Sequence, residues 1–278
     1  MRALDEQTVL VTGATAGLGR ALVQRLAEHG ATVVAHGRDQ QRLDNLVAEV
    51  GERTGASIET VRADLASLAR VDRLAEEVLE RFPALHVLVN NAGVGFGSPG
   101  GPREVSEDGI ELRFAVNHLA GYHLARRLAA RLRHSAPARV VQVASAGQLA
   151  LDPDDPLTEH DYDGITAYRR AKLAQVMATY DLAGDLVGTD VTVTALHPAT
   201  FMDTTMVRDA GQEPASTVEE GLAATWRLVA DPDLDGVSGL YFNGLHEGRT
   251  DPQADDPAAR AWVRALSDAL IQDALTTR

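Results

Sequence analysis

The chain has 278 residues, 45% apolar and 24% charged, enough for one large α/β domain or two small ones and inconsistent with a disordered or collagen-like polymer. The 40 acidic and 26 basic side chains give a formal charge of −14, which argues against a protein that tracks nucleic-acid phosphates. Cysteine is absent, so disulfides, thiol nucleophiles and cysteine-held zinc are excluded.

In chain order, β-branched runs at 8–12, 31–35, 58–62, 86–90, 139–144 and 191–196 read as buried strands, with a short last one at 239–242. Helical spacing fills the intervals. Leu43, Leu46, Val47 and Val50 mark one apolar face, and Leu68, Val71, Ala75 and Val78 mark the next. Further helices are expected at 108–133, 166–187 and 257–276. Ser216 and Thr217 each precede a glutamate three residues on, the spacing of a capping box. Strand and helix in strict succession imply parallel strands joined by crossover helices, a doubly wound α/β sheet with helices on both faces.

Neither repeats nor an interdomain linker interrupt the pattern, so residues 1–278 read as a single domain. Arg2, Asp5 and Glu6 break up the first residues, and the longest uncharged stretch, 82–102, holds five glycines and three prolines. The expectation is a cytoplasmic chain without a membrane span. Segments 91–102, 147–165 and about 197–216 follow strands without regular order, and should overhang the carboxyl edge of the sheet, where ligands bind.

Strand 8–12 runs into Thr12-Gly13-Ala14-Thr15-Ala16-Gly17-Leu18-Gly19, and a helix follows. Glycines there permit a tight turn and the close approach of a pyrophosphate to helix N-terminal amides, although a turn without a ligand would read the same way. The second strand ends at His36-Gly37-Arg38. An arginine at that tip suits a ribose 2′-phosphate and favours NADP over NAD; the other reading is a solvated arginine with Asp39 beside it.

Tyr168 and Lys172 lie four apart in a helical stretch, on one face and about one turn from each other. An ammonium near a phenol favours the phenolate and brings tyrosine, ordinarily near pKa ~10, towards a working range for proton transfer. Ser145 ends the fifth strand, where its hydroxyl can donate to a substrate carbonyl or simply start a turn. Asn117 is placed mid-helix, either for a polar task or facing solvent. The nine histidines show no metal-ligand spacing, so no metal site is expected.

The glycine turn, Asn90-Asn91-Ala92-Gly93, Asn117, Ser145 and the Tyr168/Lys172 pair, in this order, resemble the short-chain dehydrogenase/reductase family. The long 147–165 segment, the residues around Tyr168 and Ser238-Gly239-Leu240-Tyr241-Phe242 are similar to its retinol-dehydrogenase-like branch. The resemblance implies a Rossmann-type, seven-stranded parallel sheet and a nicotinamide cofactor. It makes Tyr168 the proton donor or acceptor, with Lys172 on the nicotinamide ribose and tuning Tyr168. Ser145 would hold the carbonyl and Asn117 would anchor a proton-relay water. Gly13, Thr15, Ala16, Gly17, Leu18 and Gly19 would meet the pyrophosphate region, and Asp64 and Leu65 the adenine. Asn91, Ala92 and Gly93 would meet the inner ribose, Pro198 the nicotinamide, and Arg38 the NADP phosphate.

Ala199 departs from the family's usual proline-glycine after the sixth strand, and its methyl restricts the backbone there. The implied activity is NADP(H)-dependent hydride transfer with a secondary alcohol, ketone or aldehyde. The alternative is a catalytically silent dinucleotide-binding regulator or scaffold. Phe201, Met202, Met206 and Val207 in the last irregular segment read either as a lid over a hydrophobic substrate or as packing onto their own domain. Related enzymes pair or form tetramers through helices corresponding to 108–133 and 166–187, so a homodimer or homotetramer is an open expectation.

Overall fold

The computed structural model describes residues 1–98 and 100–277. Seven strands run parallel: β1 Thr8–Val11, β2 Thr32–Gly37, β3 Glu59–Arg62, β4 Val87–Asn90, β5 Ala138–Val143, β6 Val191–His197 and β7 Leu240–Asn243. An eighth, β8 at His246–Glu247, folds back antiparallel on β7, and the spatial order is β3-β2-β1-β4-β5-β6-β7-β8. The expected count of seven is thus corrected to eight. Two exposed polar residues after a tight turn at Gly244 (φ +59°) carry no apolar signal that a sequence reading could detect.

Successive strand residues serve opposite faces, as the pleat requires. Val9, Val11, Val33 and Ala35 pack with α1 (Gly17–Glu28), α2 (Gln40–Thr54) and α7 (Val218–Ala230). Leu10, Val34 and Leu88 point the other way, into a core with α3 (Leu68–Arg81), α4 (Ala120–His134) and α5 (Gly164–Asp185). Thr217 closes a capping box with Glu220 at the start of α7. The strand order reverses between β1 and β4, which opens a crevice at their carboxyl ends.

The helix expected from residue 108 begins later. Residues 107–110 form a turn instead, with the Ser106 hydroxyl accepting the Asp108 and Ile110 amides at 3.2 and 3.3 Å. Glu111 then accepts the Phe114 amide at 2.8 Å, and Phe114–Leu119 winds as a π-turn into α4. A π-turn widens the backbone locally and is common at functional sites; Asn117 lies on this one.

The last helix, α8 (Pro257–Thr276), folds back over α3, α4 and α5. Ser267 meets His118 at 2.7 Å, Asp268 accepts from the Tyr122 hydroxyl at 2.8 Å, and Arg264 pairs with Asp185 at 2.8 Å. It therefore occupies part of the α4/α5 face through which pairing of copies was expected. No described helix is long and apolar enough to cross a membrane.

Leu88 is fully buried in the middle of the sheet. Leu88→Ala should lower the unfolding free energy by about 2–5 kcal/mol, because the cavity collapses only in part. Val187→Ala, at an 81% exposed site, should change it by less than about 0.5 kcal/mol. Urea unfolding of the two variants checks both.

Candidate active site

The carboxyl edge of the sheet opens into a cleft of about 710 Å³, running from the end of β2 to the 197–216 segment. Of the residues expected to bind cofactor or act on substrate, all line this cleft except Asn117.

At the dinucleotide end, the turn after β1 demands glycine twice. A Cβ on Gly13 (φ +66°) would lie 2.8 Å from Ala92 Cα, and one on Gly19 would lie 2.3 Å from the Gly13 carbonyl oxygen. His36, which the sequence reading passed over, holds this turn. Its Nδ1 accepts the Gly13 amide at 3.3 Å and its Nε2 donates to the Ala63 carbonyl at 3.1 Å, a tautomer assigned from those partners. Burial pushes its pKa down to about 4, so the ring stays neutral and can keep accepting.

Thr12 is the second brace. Its hydroxyl oxygen accepts the Asn91 and Ala92 amides, both at 3.0 Å, while Asn91 Nδ2 donates to the Thr12 and Gly13 carbonyls at 2.8 and 3.2 Å. Asn91 thus stitches the two loops together with its side chain. Asp39 does not compete with Arg38, because its Oδ1 accepts the Arg42 amide at 3.1 Å and caps α2. Arg38 is exposed at the cleft end and makes no ion pair among the described residues.

At the other end, α5 turns one stripe to the cleft: Ile165, Tyr168, Arg169 and Lys172, at helical spacing. The Tyr168 ring packs edge-on against Phe96, with centroids 5.4 Å apart. Lys172 is 4% exposed and is the only lysine in the chain; 25 arginines carry every other basic side chain. It donates to the Val143 carbonyl at 2.8 Å and to Gln175 Oε1 at 3.0 Å, and Gln175 Nε2 in turn donates to Gln142 Oε1 at 3.2 Å. Its nitrogen stands 5.8 Å from the Tyr168 ring centre.

Burial lowers the Lys172 pKa to about 7. It also raises that of Tyr168, against which a hydrogen bond with the Ser145 hydroxyl pulls down. The net shift of the phenol is therefore upward, opposite to the lowering by the ammonium expected from the sequence, and the hydrogen bond from Ser145 is what opposes desolvation. Ser145 Oγ accepts the Gly147 amide at 3.0 Å, which leaves its own proton free to donate. The Ser145 carbonyl is fixed by the Tyr241 hydroxyl at 3.1 Å and by Gln148 Nε2 at 3.0 Å.

Asn117 has a polar task, one of the two readings the sequence left open. It takes the Val94 amide on Oδ1 at 2.7 Å and returns Nδ2 to the Val94 carbonyl at 3.0 Å, so neither polar atom of its side chain faces the cleft. It holds the loop after β4 and lines a separate cavity of about 10 Å³ with Asn90 and Gln175. Arg113 steadies the same loop by donating to the Gly95 carbonyl at 3.0 Å, to Glu104 at 2.8 Å and to the Tyr162 hydroxyl at 2.8 Å. Nothing in the sequence pattern flagged this buried cation, whose partners lie up to 49 residues away.

The short chain dehydrogenase family model matches residues 7–215. The chain belongs to this family. Zebrafish (Danio rerio) WW domain-containing oxidoreductase is 33% identical over 98% of the chain and 70% of its own length. Human (Homo sapiens) retinol dehydrogenase 14 is 34% identical over 95% of the chain and 86% of its own. Among solved structures, a Mycobacterium paratuberculosis protein superimposes with a TM-score of 0.75 at 25% identity, covering 96% of this chain and 94% of its own. A Beutenbergia cavernae protein solved with bound NADP gives a TM-score of 0.68 at 28% identity, covering 86% and 94%. This short-chain dehydrogenase is an NAD(P)-dependent oxidoreductase acting on CH–OH groups, in the retinol-dehydrogenase-like branch.

Lys172 imposes a pH signature. Its native pKa of about 7 lies below the ordinary 10.5, so between those values the unfolded chain binds a proton that the folded one does not. The burial cost is full below about pH 7 and fades as the pH rises towards 10.5. Lys172→Met should therefore gain most in melting temperature relative to wild type below pH 7, and less towards pH 10. A pH-independent difference would contradict the assignment. Gly19→Ala should weaken binding of the reduced nicotinamide dinucleotide at least about tenfold, read by fluorescence titration, since its methyl intrudes on the Gly13 carbonyl.

Proposed function

We propose that the protein transfers hydride between NADP(H) and a ketone, aldehyde or secondary alcohol with an apolar body, with Tyr168 as general acid/base. The observation that carries this reading is the α5 stripe, which puts the Tyr168 phenol beside Ser145 and above the buried Lys172 at the wall of one cleft. A silent regulator would have no need to bury its single lysine there.

The cleft fits a dinucleotide phosphate. Its glycine turn leaves no room for side chains, the α1 amides open onto it, and Arg38 is left without a carboxylate partner at the end of β2. Gly13, Thr15, Ala16, Gly17, Leu18 and Gly19 would hold the pyrophosphate, Asp64 and Leu65 the adenine, and Arg38 the 2′-phosphate. Asn91, Ala92, Gly93, Lys172 and Pro198 would hold the nicotinamide half. Bound there, the cofactor gives a hydride to the substrate carbon or takes one from it.

In the reducing direction, the Tyr168 hydroxyl passes its proton to the carbonyl oxygen, and Ser145 donates a hydrogen bond to the same oxygen. The phenolate left behind is stabilised by the Lys172 ammonium, and solvent restores the proton. Desolvation favours the neutral phenol before the reaction, which suits a proton donor. Ile165, Phe201 and Met206 expose 48%, 41% and 41% of their surface while lining the cleft mouth, and this supports an apolar substrate body. A Cβ on Gly17 would lie 3.0 Å from Thr204 Cγ2, so the 197–216 segment reaches the glycine turn as a lid would.

Tyr168→Phe should bind NADPH normally and lose about 10²-fold or more in turnover of reducible carbonyls. Near-normal turnover would contradict the acid/base role. Arg38→Ala should erase a wild-type preference for NADPH over NADH, measured by parallel binding titrations; tighter NADH binding by the wild type would contradict the phosphate assignment.

A further inference from the structure

We propose that Arg169 makes this an enzyme for carbonyl compounds that carry a carboxylate on an apolar body, so that the substrate acid docks on its guanidinium beside Ser145. The inference rests on the hydride-transfer reading above and narrows its substrate.

Two arginines follow Tyr168, and the fold treats them differently. Arg170 points into the 147–165 segment and is used up there, donating to the Asp155 carbonyl at 2.9 Å and the Thr158 hydroxyl at 3.2 Å, with Asp152 at 3.9 Å. Arg169 lies on the cleft stripe of α5. Its one hydrogen bond among the described residues goes to the Gln148 carbonyl at 3.1 Å, and it makes no ion pair among them. A guanidinium has five N–H donors, so most of this one is free for a ligand, while the Gln148 bond keeps it from swinging away.

Its position relative to the reacting groups is fixed by Gly147. A Cβ built there would lie 3.5 Å from Ser145 Oγ and 3.7 Å from Arg169 Cγ, so the arginine stem and the serine hydroxyl flank the same point. A carbonyl held by Ser145 and Tyr168 thus leaves a neighbouring substituent within a few bonds of the cation. Around it the cleft offers apolar surface from Phe96, Ile165, Phe201 and Met206.

The charge balance favours an anion. Asp64 is the only carboxylate among the lining residues, and it follows β3, four strand positions from β5. At about 4.8 Å per strand this is roughly 19 Å, well beyond the ~8–10 Å screening length. The chain's charge of −14 opposes acids elsewhere on the surface, so the exposed, unpaired Arg169 makes the substrate half the favourable local site for one. The reaction itself is unchanged: hydride from NADPH adds to the carbonyl carbon, a proton from Tyr168 adds to its oxygen, and the carboxylate is retained in the hydroxy acid product.

The test separates binding from turnover. Calorimetric titration of the full chain, with and without NADPH, would compare decanoate with methyl decanoate. Wild type should bind the acid at least tenfold more tightly. Arg169→Gln should bring the acid-to-ester ratio close to one, and Arg169→Lys should restore much of it. The same ratios should appear in kcat/KM for NADPH oxidation by 4-oxodecanoate, whose carbonyl lies a few bonds from its carboxylate, and its methyl ester. Absence of decanoate binding, equal affinity for acid and ester, or a preference that survives in Arg169→Gln would overturn the proposal. Turnover of the ester without an acid preference would refute the docking site and leave hydride transfer standing. Arg169-dependent binding of decanoate without turnover of any carbonyl would refute hydride transfer and leave the docking site standing.

Discussion

The burial of one ammonium group organises this molecule. Lys172 sits below the cleft with two of its three donors fixed, one by the Val143 carbonyl and one by Gln175. Taking a lone ammonium out of water is costly, and proteins answer either by pairing it or by letting its pKa fall. Among the described residues no carboxylate pairs with it, and the pKa falls to about 7. Arginine could not occupy this place, since it stays charged and its fork demands planar partners. A lysine here can change charge near neutrality, which is useful beside the tyrosine proposed to hold and release a proton.

The rest of the architecture brings backbone to that point. Reversal of strand order at β1 and β4 opens the crevice, and the glycine turn, the loop after β4 and the loop after β5 converge on it. Each loop is held by side chains that need not touch a ligand. His36 and Thr12 tie the glycine turn to its neighbours, Asn117 and Arg113 clamp residues 94–95, and Tyr241 anchors the Ser145 backbone. Preorganised amides and hydroxyls of this kind avoid reorganisation at the moment of reaction. By contrast, the 197–216 segment contains only the short helix Thr205–Asp209, which has no buried residue, in keeping with a segment that moves for ligand entry.

Much of this could be read from the amino-acid order. Alternating β-branched and helical runs gave the doubly wound sheet because parallel strands need crossover helices, and strands β1 to β7 fall within a residue or two of expectation. The site was readable where chemistry is local: a glycine turn, or a tyrosine and lysine one helical turn apart. It was opaque where partners are distant. Gln142 and Gln175 meet across 33 residues, and Arg113 meets Tyr162 across 49. The partner of Asn117 was unreadable for the same reason, since a π-turn that aims its side chain at Val94 leaves no periodic trace. One signal was present and unused: a single lysine among 25 arginines marks a position where arginine will not do.

That solitary lysine also permits a direct measurement. Protein labelled with 15N-lysine carries one side-chain ζ-nitrogen resonance, whose chemical shift can be followed from pH 5 to 11. The account predicts a midpoint near pH 7. A midpoint at the ordinary lysine value near 10.5 would show the ammonium in contact with water, and would contradict the claim that its burial beside Tyr168 underlies the chemistry of the cleft.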